Sequence, residues 1–124
     1  MARLRFLLAT LILVTYGCSA ISARDSSGDL LWSSIPLNSM HLRLQSPKPK
    51  GMSEDLYFGN GTLAIESCIN GTCTAPATVW NIQNNRLKIG YSSNDGDALI
   101  QYTAQKLVIR GPNGEIDVYS IVSK

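Results

Sequence analysis

The chain has 124 residues, of which 44% are hydrophobic and 16% are charged, and it contains 10 Gly, 5 Pro and 3 Cys. This length and composition are typical of one globular domain, and they exclude a multidomain protein, a collagen-like repeat and a fully disordered chain. The formal net charge is +2. Two of the basic residues lie in a segment that we expect to be removed.

The N-terminus has the pattern of an export signal. Arg3 and Arg5 precede an apolar stretch from Phe6 to Val14, and small or uncharged residues follow it as far as Ala20. This order is typical of a cleaved signal peptide. A membrane-spanning helix would need about 20 apolar residues, more than this stretch offers. We therefore predict that residues 1–17 form a signal peptide.

The end of the signal carries a more specific motif. Val14-Thr15-Tyr16-Gly17-Cys18 resembles the lipobox of bacterial lipoproteins. The resemblance implies cleavage before Cys18, lipidation of that cysteine, and membrane attachment through the lipid. Ser19 resembles the residue found in lipoproteins that face the periplasm from the outer membrane of Gram-negative cells. A plain secretory signal is the alternative, because Cys18 with Ala20, and Ala20 with Ser22, also have the spacing of an ordinary cleavage site. It would give a soluble secreted or periplasmic protein.

Without residues 1–17, the chain has 107 residues with nine basic and nine acidic side chains. This balance argues against a nucleic-acid-binding protein. Residues 18–29 are mainly Ser, Ala, Gly and charged residues, which predicts a flexible tether with a span of roughly 20 Å. Residues 30–124 form the predicted domain.

The predicted domain consists of strands. From Leu30 onward the hydrophobic period is close to two, and turn signals recur along the chain, as in an antiparallel sheet. The predicted strands are Leu30–Leu37, Met40–Gln45, Asp55–Phe58, Thr62–Cys68, Ala77–Gln83, Arg86–Tyr91, Ala98–Thr103, Lys106–Arg110 and Glu115–Val122, and Ser46–Gly51 is the longest irregular connection. Because tight turns join most neighbours, we expect an all-β fold, a small up-and-down antiparallel β-barrel of eight to nine short strands whose closure hides both edges.

Two cysteines of the domain lie on either side of a hairpin signal. Cys68 and Cys73 flank Asn70-Gly71, the preferred centre of a two-residue type I′ turn. This turn places the two cysteines opposite each other in a non-hydrogen-bonded pair, which suits a disulfide. A metal site would need further ligands, and His41 is the only histidine. We predict a Cys68–Cys73 disulfide that stabilises a local hairpin by about 2 kcal/mol.

Several short motifs carry a second resemblance. They are Phe58-Gly59-x-Gly61-Thr62, Thr78-x-Trp80-x-Ile82, Leu87-x-Ile89, Leu107-x-Ile109, and Asn113-Gly114 ahead of Tyr119. Together they resemble the small bacterial lipocalin-like domains over roughly Leu30 to the C-terminus. The resemblance implies a lipocalin-like barrel.

Residues for catalysis or metal binding do not form a recognisable set. His41 is interpreted as a solvated strand residue. Asp95 and Asp97 flank Gly96, but they do not fit the calcium-loop template and are interpreted as a polar turn. The carboxylates that could pair for acid–base chemistry are interpreted as outward strand faces, and they are Glu54, Asp55, Glu66, Glu115 and Asp117. We expect no enzyme activity, no cofactor and no metal.

Two sets of side chains are candidates for recognition. The aromatic set, which could line a ligand pocket or fill a core, is Trp32, Trp80, Tyr91, Tyr102 and Tyr119. The basic set, which alternation directs outward, is Arg86, Lys88, Lys106 and Arg110. Since eight strands enclose little space, we expect mostly filling, with any pocket shallow and at one open end.

These observations predict a non-enzymatic envelope lipoprotein that binds a small apolar ligand or an envelope protein. Small lipid-anchored barrels that inhibit lysozyme have a comparable size, so a hydrolase inhibitor is one alternative, with Ser92–Asp97 as the polar loop. A structural or assembly role in an envelope complex is the other. Asn60 and Asn70 also satisfy the N-glycosylation pattern, which leaves a eukaryotic secreted glycoprotein open as the source.

Overall fold

The computed structural model describes residues 23–91 and 94–124. The predicted signal peptide and Cys18 lie outside the described residues. The described part contains a short 3₁₀ turn at Trp32–Ser34 and nine strands. The strands are β1 (His41–Ser46), β2 (Met52–Phe58), β3 (Thr62–Ile69), β4 (Thr72–Thr74), β5 (Ala77–Gln83), β6 (Arg86–Ile89), β7 (Ala98–Tyr102), β8 (Lys106–Arg110) and β9 (Ile116–Ser123).

The strands form one antiparallel meander that curls back on itself. Their order is β6-β5-β3-β2-β1-β9-β8-β7, and β4 lies beside β3. Because β1 pairs with β9, the first and last strands are neighbours. The two ends of the order, β6 and β7, meet where Leu87 and Asp97 exchange backbone hydrogen bonds of 2.8 and 2.9 Å. We call this junction the seam. The predicted all-β, up-and-down barrel is confirmed.

β4 and β5 are two parts of one interrupted strand. Ser67 pairs with Thr74 and Ala64 pairs with Ala77, so both parts keep the same register against β3. Between them, the amide of Ile65 donates to the carbonyl of Pro76 at 3.0 Å. Proline has no amide hydrogen to return, so the ladder is interrupted at this residue. The barrel therefore has eight strands around its circumference.

The cysteine hairpin forms as the sequence predicts. Cys68 pairs with Cys73 across the β3–β4 ladder, and their sulfur atoms are bonded at 2.05 Å. Asn70 and Gly71 at the turn have φ angles of 50° and 87°. A type I′ turn requires positive φ at both central residues, which explains the Asn-Gly pair. All three residues of β4 are exposed, so the disulfide closes a hairpin at the surface.

The predicted first strand, Leu30–Leu37, is wrong. Leu30 makes only isolated bridges, to Arg24 and to Leu99, and the chain then enters the 3₁₀ turn and continues irregularly to β1. The apolar side chains of this stretch are buried in the core, namely Leu30, Trp32, Ile35, Leu37 and Met40. A short stretch rich in apolar residues does not distinguish a strand from another buried segment, and here the apolar side chains fill the barrel and the backbone does not extend the sheet.

The part of the predicted tether that the structure describes folds back onto the domain. Arg24 bridges to Leu30, and the amide of Asp25 donates to the carbonyl of Asp29 at 2.8 Å, which makes a tight turn. Asp29 is 5% exposed. Residues 24–29 are therefore held against the barrel by ion pairs described below.

Two boundaries differ from the prediction as well. β2 begins at Met52, three residues before the predicted Asp55. Its pairing with β3 continues to Met52, which lies opposite Ile69, and Glu54 and Met52 keep the alternation of the inward positions. The connection between β6 and β7 spans residues 90–97 and is longer than the proline-containing loop after β1. The other strands lie within two residues of their predicted bounds.

Candidate functional site

The interior of the barrel is filled with side chains. Fully buried side chains come from the N-terminal segment and from four strands, and they are Met40, Leu42, Leu63, Leu99 and Leu107. Tyr119 joins the same core cluster, as does Trp32 from the 3₁₀ turn. The lumen is therefore occupied by the protein's own residues.

The five candidate aromatic residues do not line a common cavity. Trp32 and Tyr119 are buried, and Trp80 and Tyr102 pack against the core from partly buried positions. Tyr91 differs from them because its surface is 92% exposed. Four of the five are therefore part of the core packing, and Tyr91 alone is placed to meet a partner.

A groove lies on the outside of the barrel, along the β5–β6 hairpin. Its main cavity has a volume of about 480 Å³ and is lined by Val79, Trp80, Asn81, Gln83, Lys88, Gly90 and Tyr91. An adjoining cavity of about 280 Å³ shares Gln83 and Lys88 with it and extends to Asn84, Arg86 and Asp95. We call the two together the β5–β6 groove.

The strand register explains which side chains reach this groove. Asn81 lies opposite Lys88 and Gln83 opposite Arg86, whereas the alternate pairs, Trp80 with Ile89 and Ile82 with Leu87, lie on the core side. Successive side chains of a strand point to opposite faces. The polar residues of β5 and β6 are thus collected on the outer face by alternation alone.

In the described part of the chain, the polar side chains of the main cavity are free of protein partners, and two of them, Asn81 and Gln83, are exposed. Within residues 23–91 and 94–124, the side chains of Asn81, Gln83 and Lys88 make no hydrogen bond or ion pair. Arg86, on the same strand as Lys88, contacts Asp25 at 3.4 Å and Asp29 at 3.3 Å. Of the two cations on β6, Arg86 therefore binds the N-terminal segment, and Lys88 is left available to bind a ligand.

The four candidate basic residues do not form one surface. Arg110 binds Asp29 at 3.0 Å and so converges with Arg86 on a single carboxylate. Lys106 is exposed at the start of β8, opposite Ser120. Lys88 lies in the groove. The two arginines fix the N-terminal segment, and the two lysines lie at separate places.

Asn85 completes this attachment of the N-terminal segment. Its Nδ2 donates to Asp25 Oδ2 at 2.8 Å and to the carbonyl of Leu30 at 3.0 Å, and its Oδ1 accepts from the amide of Trp32 at 2.9 Å. The hydrogen bond from Asn85 is the main cause that lowers the pKa of Asp25. The β5–β6 turn therefore holds the segment that fills the barrel.

A second polar cluster covers the outer face of β1 and β2. His41 Nε2 lies 2.7 Å from Asp55 Oδ2, and Arg43 donates to both carboxylate oxygens of Asp55 at 3.1 and 3.0 Å. The ring of His41 stacks on Tyr57 with a centroid distance of 4.1 Å. The Arg43 hydrogen bond holds the pKa of Asp55 below its usual value. Because its side chain is only 16% exposed, the interpretation of His41 as a solvated residue is wrong.

Acidic residues also occur on the inner face, where the sequence predicted none. Glu54 and Asp117 alternate with outward positions of β2 and β9, and burial raises the pKa of both. Burial, and then the charges of Asp117 and Glu115, raise the pKa of Asp97 at the seam to about 6. The outward interpretation of Glu54 and Asp117 is therefore wrong, because Glu54 is in phase with the buried Leu56 and Phe58 on β2 and Asp117 is in phase with the buried Tyr119 on β9.

In the described part of the chain, no group of three or more His, Cys, Asp or Glu side chains is arranged to hold a metal ion. The same residues contain no helix long and apolar enough to cross a membrane. Comparisons with protein-family models, with curated proteins and with solved structures find no match to this chain.

Proposed function

We propose that the protein is a non-enzymatic binding module of the bacterial cell envelope, attached by a lipid on Cys18, which recognises its partner with the outside of the barrel. The observation that carries the proposal is the contrast between a lumen filled by the protein's own side chains and an outer groove whose polar side chains lack partners. Leaving hydrogen-bonding groups unpaired in a concave site is typical of ligand positions.

The structure favours a surface ligand over an enclosed apolar one. An apolar molecule inside the barrel would have to displace residues such as Trp32 and Met40, which are 2% and 1% exposed. Loss of buried packing of this kind costs about 2–5 kcal/mol for each large side chain. The outer groove requires no such displacement.

The attachment is tested by the mass and location of the mature protein. We expect the intact mass to correspond to a diacyl or triacyl form that begins at Cys18, and we expect Cys18→Ser to move the protein from the membrane fraction to the soluble fraction. Export without lipid, with the wild type in the soluble fraction, would contradict the lipoprotein proposal.

Recognition is tested with immobilised mature protein and solubilised envelope material. We expect the wild type to retain a defined envelope component, the double variant K88A/Y91A to lose it, and the matched variant Lys106→Ala to retain it. Retention that is equal for the wild type and K88A/Y91A would place recognition elsewhere and contradict the proposal.

A further inference from the structure

We infer that the β5–β6 groove binds a short saccharide chain that carries an acidic group. The inference rests on the proposed function, because it names the ligand of the same surface. It is carried by the juxtaposition of two side-chain amides, one ammonium group and one exposed aromatic ring in a single groove.

The two amides match the hydroxyl groups of a sugar. Asn81 and Gln83 are two residues apart on one face of β5, and this spacing separates their backbone positions by about 7 Å. Each side-chain amide can both donate and accept hydrogen bonds, and so can a hydroxyl group. A row of neutral, two-way hydrogen-bonding groups therefore fits a polyhydroxylated ligand.

The exposed ring supplies the other half of a sugar site. Tyr91 lies at the end of the groove and is 92% exposed. A tyrosine presents a flat apolar face and a polar hydroxyl tip. A sugar ring has the complementary form, with an apolar C–H face and a polar rim, so it can stack on Tyr91 while its hydroxyl groups reach the amides.

The acidic group is assigned from the charge within the main cavity. Lys88 is the one charged residue among those that line it, whereas Asp95 lines only the adjoining cavity. The Lys88 ammonium group has no partner among the described residues. A carboxylate or phosphate on the sugar would give it a charge-assisted hydrogen bond.

Other ligand classes fit the groove less well. An apolar ligand would remove Asn81, Gln83 and Lys88 from water without giving them partners, and each such loss costs binding free energy. A nucleic-acid strand needs several cations along its backbone, and Lys88 is the one cation of the main cavity. An acidic peptide would satisfy Lys88 and is distinguished by experiment.

The experiment uses the mature protein with its disulfide intact and three probes of similar length. These are a tetramer of galacturonic acid, maltotetraose as the neutral sugar, and tetraglutamate as the acidic peptide. Calorimetric titration supplies the dissociation constants.

We expect the galacturonic acid tetramer to bind and maltotetraose to bind about tenfold more weakly, a difference of about 1.4 kcal/mol. Tyr91→Ala should weaken binding at least about tenfold, and Tyr91→Phe, which keeps the ring, should change it less than about threefold. Lys88→Ala should abolish the preference for the acidic sugar, and the control Lys106→Ala should change nothing. Unchanged urea midpoints would show that the variants fold.

Three results would overturn the inference: tetraglutamate binding as tightly as the acidic sugar, equal affinity for maltotetraose, or no binding of any saccharide. If no saccharide binds while the groove variants still abolish retention of the envelope component, the saccharide assignment fails and the proposed function stands. If that retention does not depend on the groove, the proposed function fails as well.

Discussion

The lumen of the barrel and the β5–β6 groove lie on opposite faces of the same strands. Side chains that face the lumen are packed, whereas, within the described residues, the polar side chains that line the main cavity of the groove have no protein partner. On the inner face of β6, Leu87 belongs to the apolar core and Ile89 packs against it. On the outer face, Lys88 between them faces a groove and has no partner among the described residues. Alternate residues of one hairpin therefore serve stability on the inner face and recognition on the outer face. Mutations on one face should change the free energy of unfolding, and mutations on the other face should change binding.

The largest effect should come from the inner face. Leu99 is 0% exposed and belongs to the core cluster, so Leu99→Ala should lower the free energy of unfolding by about 3 kcal/mol through lost burial and a residual cavity. Urea unfolding measures this value. The matched variant Ile82→Ala, at a position that is 36% exposed, should cost about 1 kcal/mol or less. A loss below about 1 kcal/mol for Leu99→Ala would contradict the filled lumen.

The next effect concerns the attachment of the N-terminal segment. Asp29→Ala leaves Arg86 without its 3.3 Å contact and Arg110 without its 3.0 Å contact, which should cost about 2 kcal/mol. Asp95→Ala is the control, because Asp95 is exposed and takes part in no ion pair within the described residues. Equal stability of the two variants would show that the segment does not depend on Asp29.

A third effect distinguishes two carboxylates by their pH dependence. The folded pKa of Asp97 is about 6, above the unfolded value of 3.8, so its protonated form is favoured in the folded protein. The stability that this provides is fully present below pH 3.8 and is lost as the pH rises through 6. After allowance for solvent screening of a partly exposed group, we expect a loss of about 1–2 kcal/mol between pH 4 and pH 7.5. Asp97→Asn should remove most of this loss.

Asp55 should behave in the opposite way. Arg43 lowers its pKa in the folded protein, so its contribution is present above the unfolded value of 3.8 and is lost as the pH falls below it. Urea unfolding of the wild type, Asp97→Asn and Asp55→Asn from pH 3 to pH 8 tests both signs. A pH-independent difference between the wild type and Asp97→Asn would contradict the raised pKa of Asp97.

The smallest stability effect should come from the groove itself. Lys88→Ala and Tyr91→Ala remove side chains with no hydrogen bond or ion pair in the described part of the chain, so each should change the free energy of unfolding by less than about 0.5 kcal/mol. The same urea experiment measures this. A loss above about 1 kcal/mol would mean that these side chains serve the fold, and the separation of the two faces would fail.

The sequence predicted the barrel well where alternation was unambiguous. Ala77–Gln83 and Lys106–Arg110 alternate clearly and have the predicted bounds in the structure. The Asn70-Gly71 turn set the pairing of the two cysteines, because a two-residue loop fixes hairpin register. The prediction of a strand at Leu30–Leu37 was wrong because the apolar residues of this stretch have no clear period. Such a stretch can be buried inside a barrel as well as within a sheet.

The candidate site was predicted only in part. Alternation indicated that Arg86 and Lys88 point outward, but it could not show that Arg86 alone is paired, because its partners Asp25 and Asp29 lie more than fifty residues away in the sequence. Asn81 and Gln83 were not recognised, although their positions opposite Lys88 and Arg86 follow from the Asn84-Asn85 turn. The burial of Asp55 under His41 and Arg43 could not be predicted, because it depends on the register between β1 and β2 and a long loop does not determine that register.

The central claim, that recognition occurs on the outside of a filled barrel, is tested most directly by amide chemical-shift mapping. The mature protein would be titrated with the envelope component that it retains. We predict the largest shifts at the groove, in Val79, Asn81, Lys88 and Tyr91, with small shifts at Leu42, Leu63 and Leu107. The largest shifts at these three core leucines, with the groove unchanged, would contradict the account.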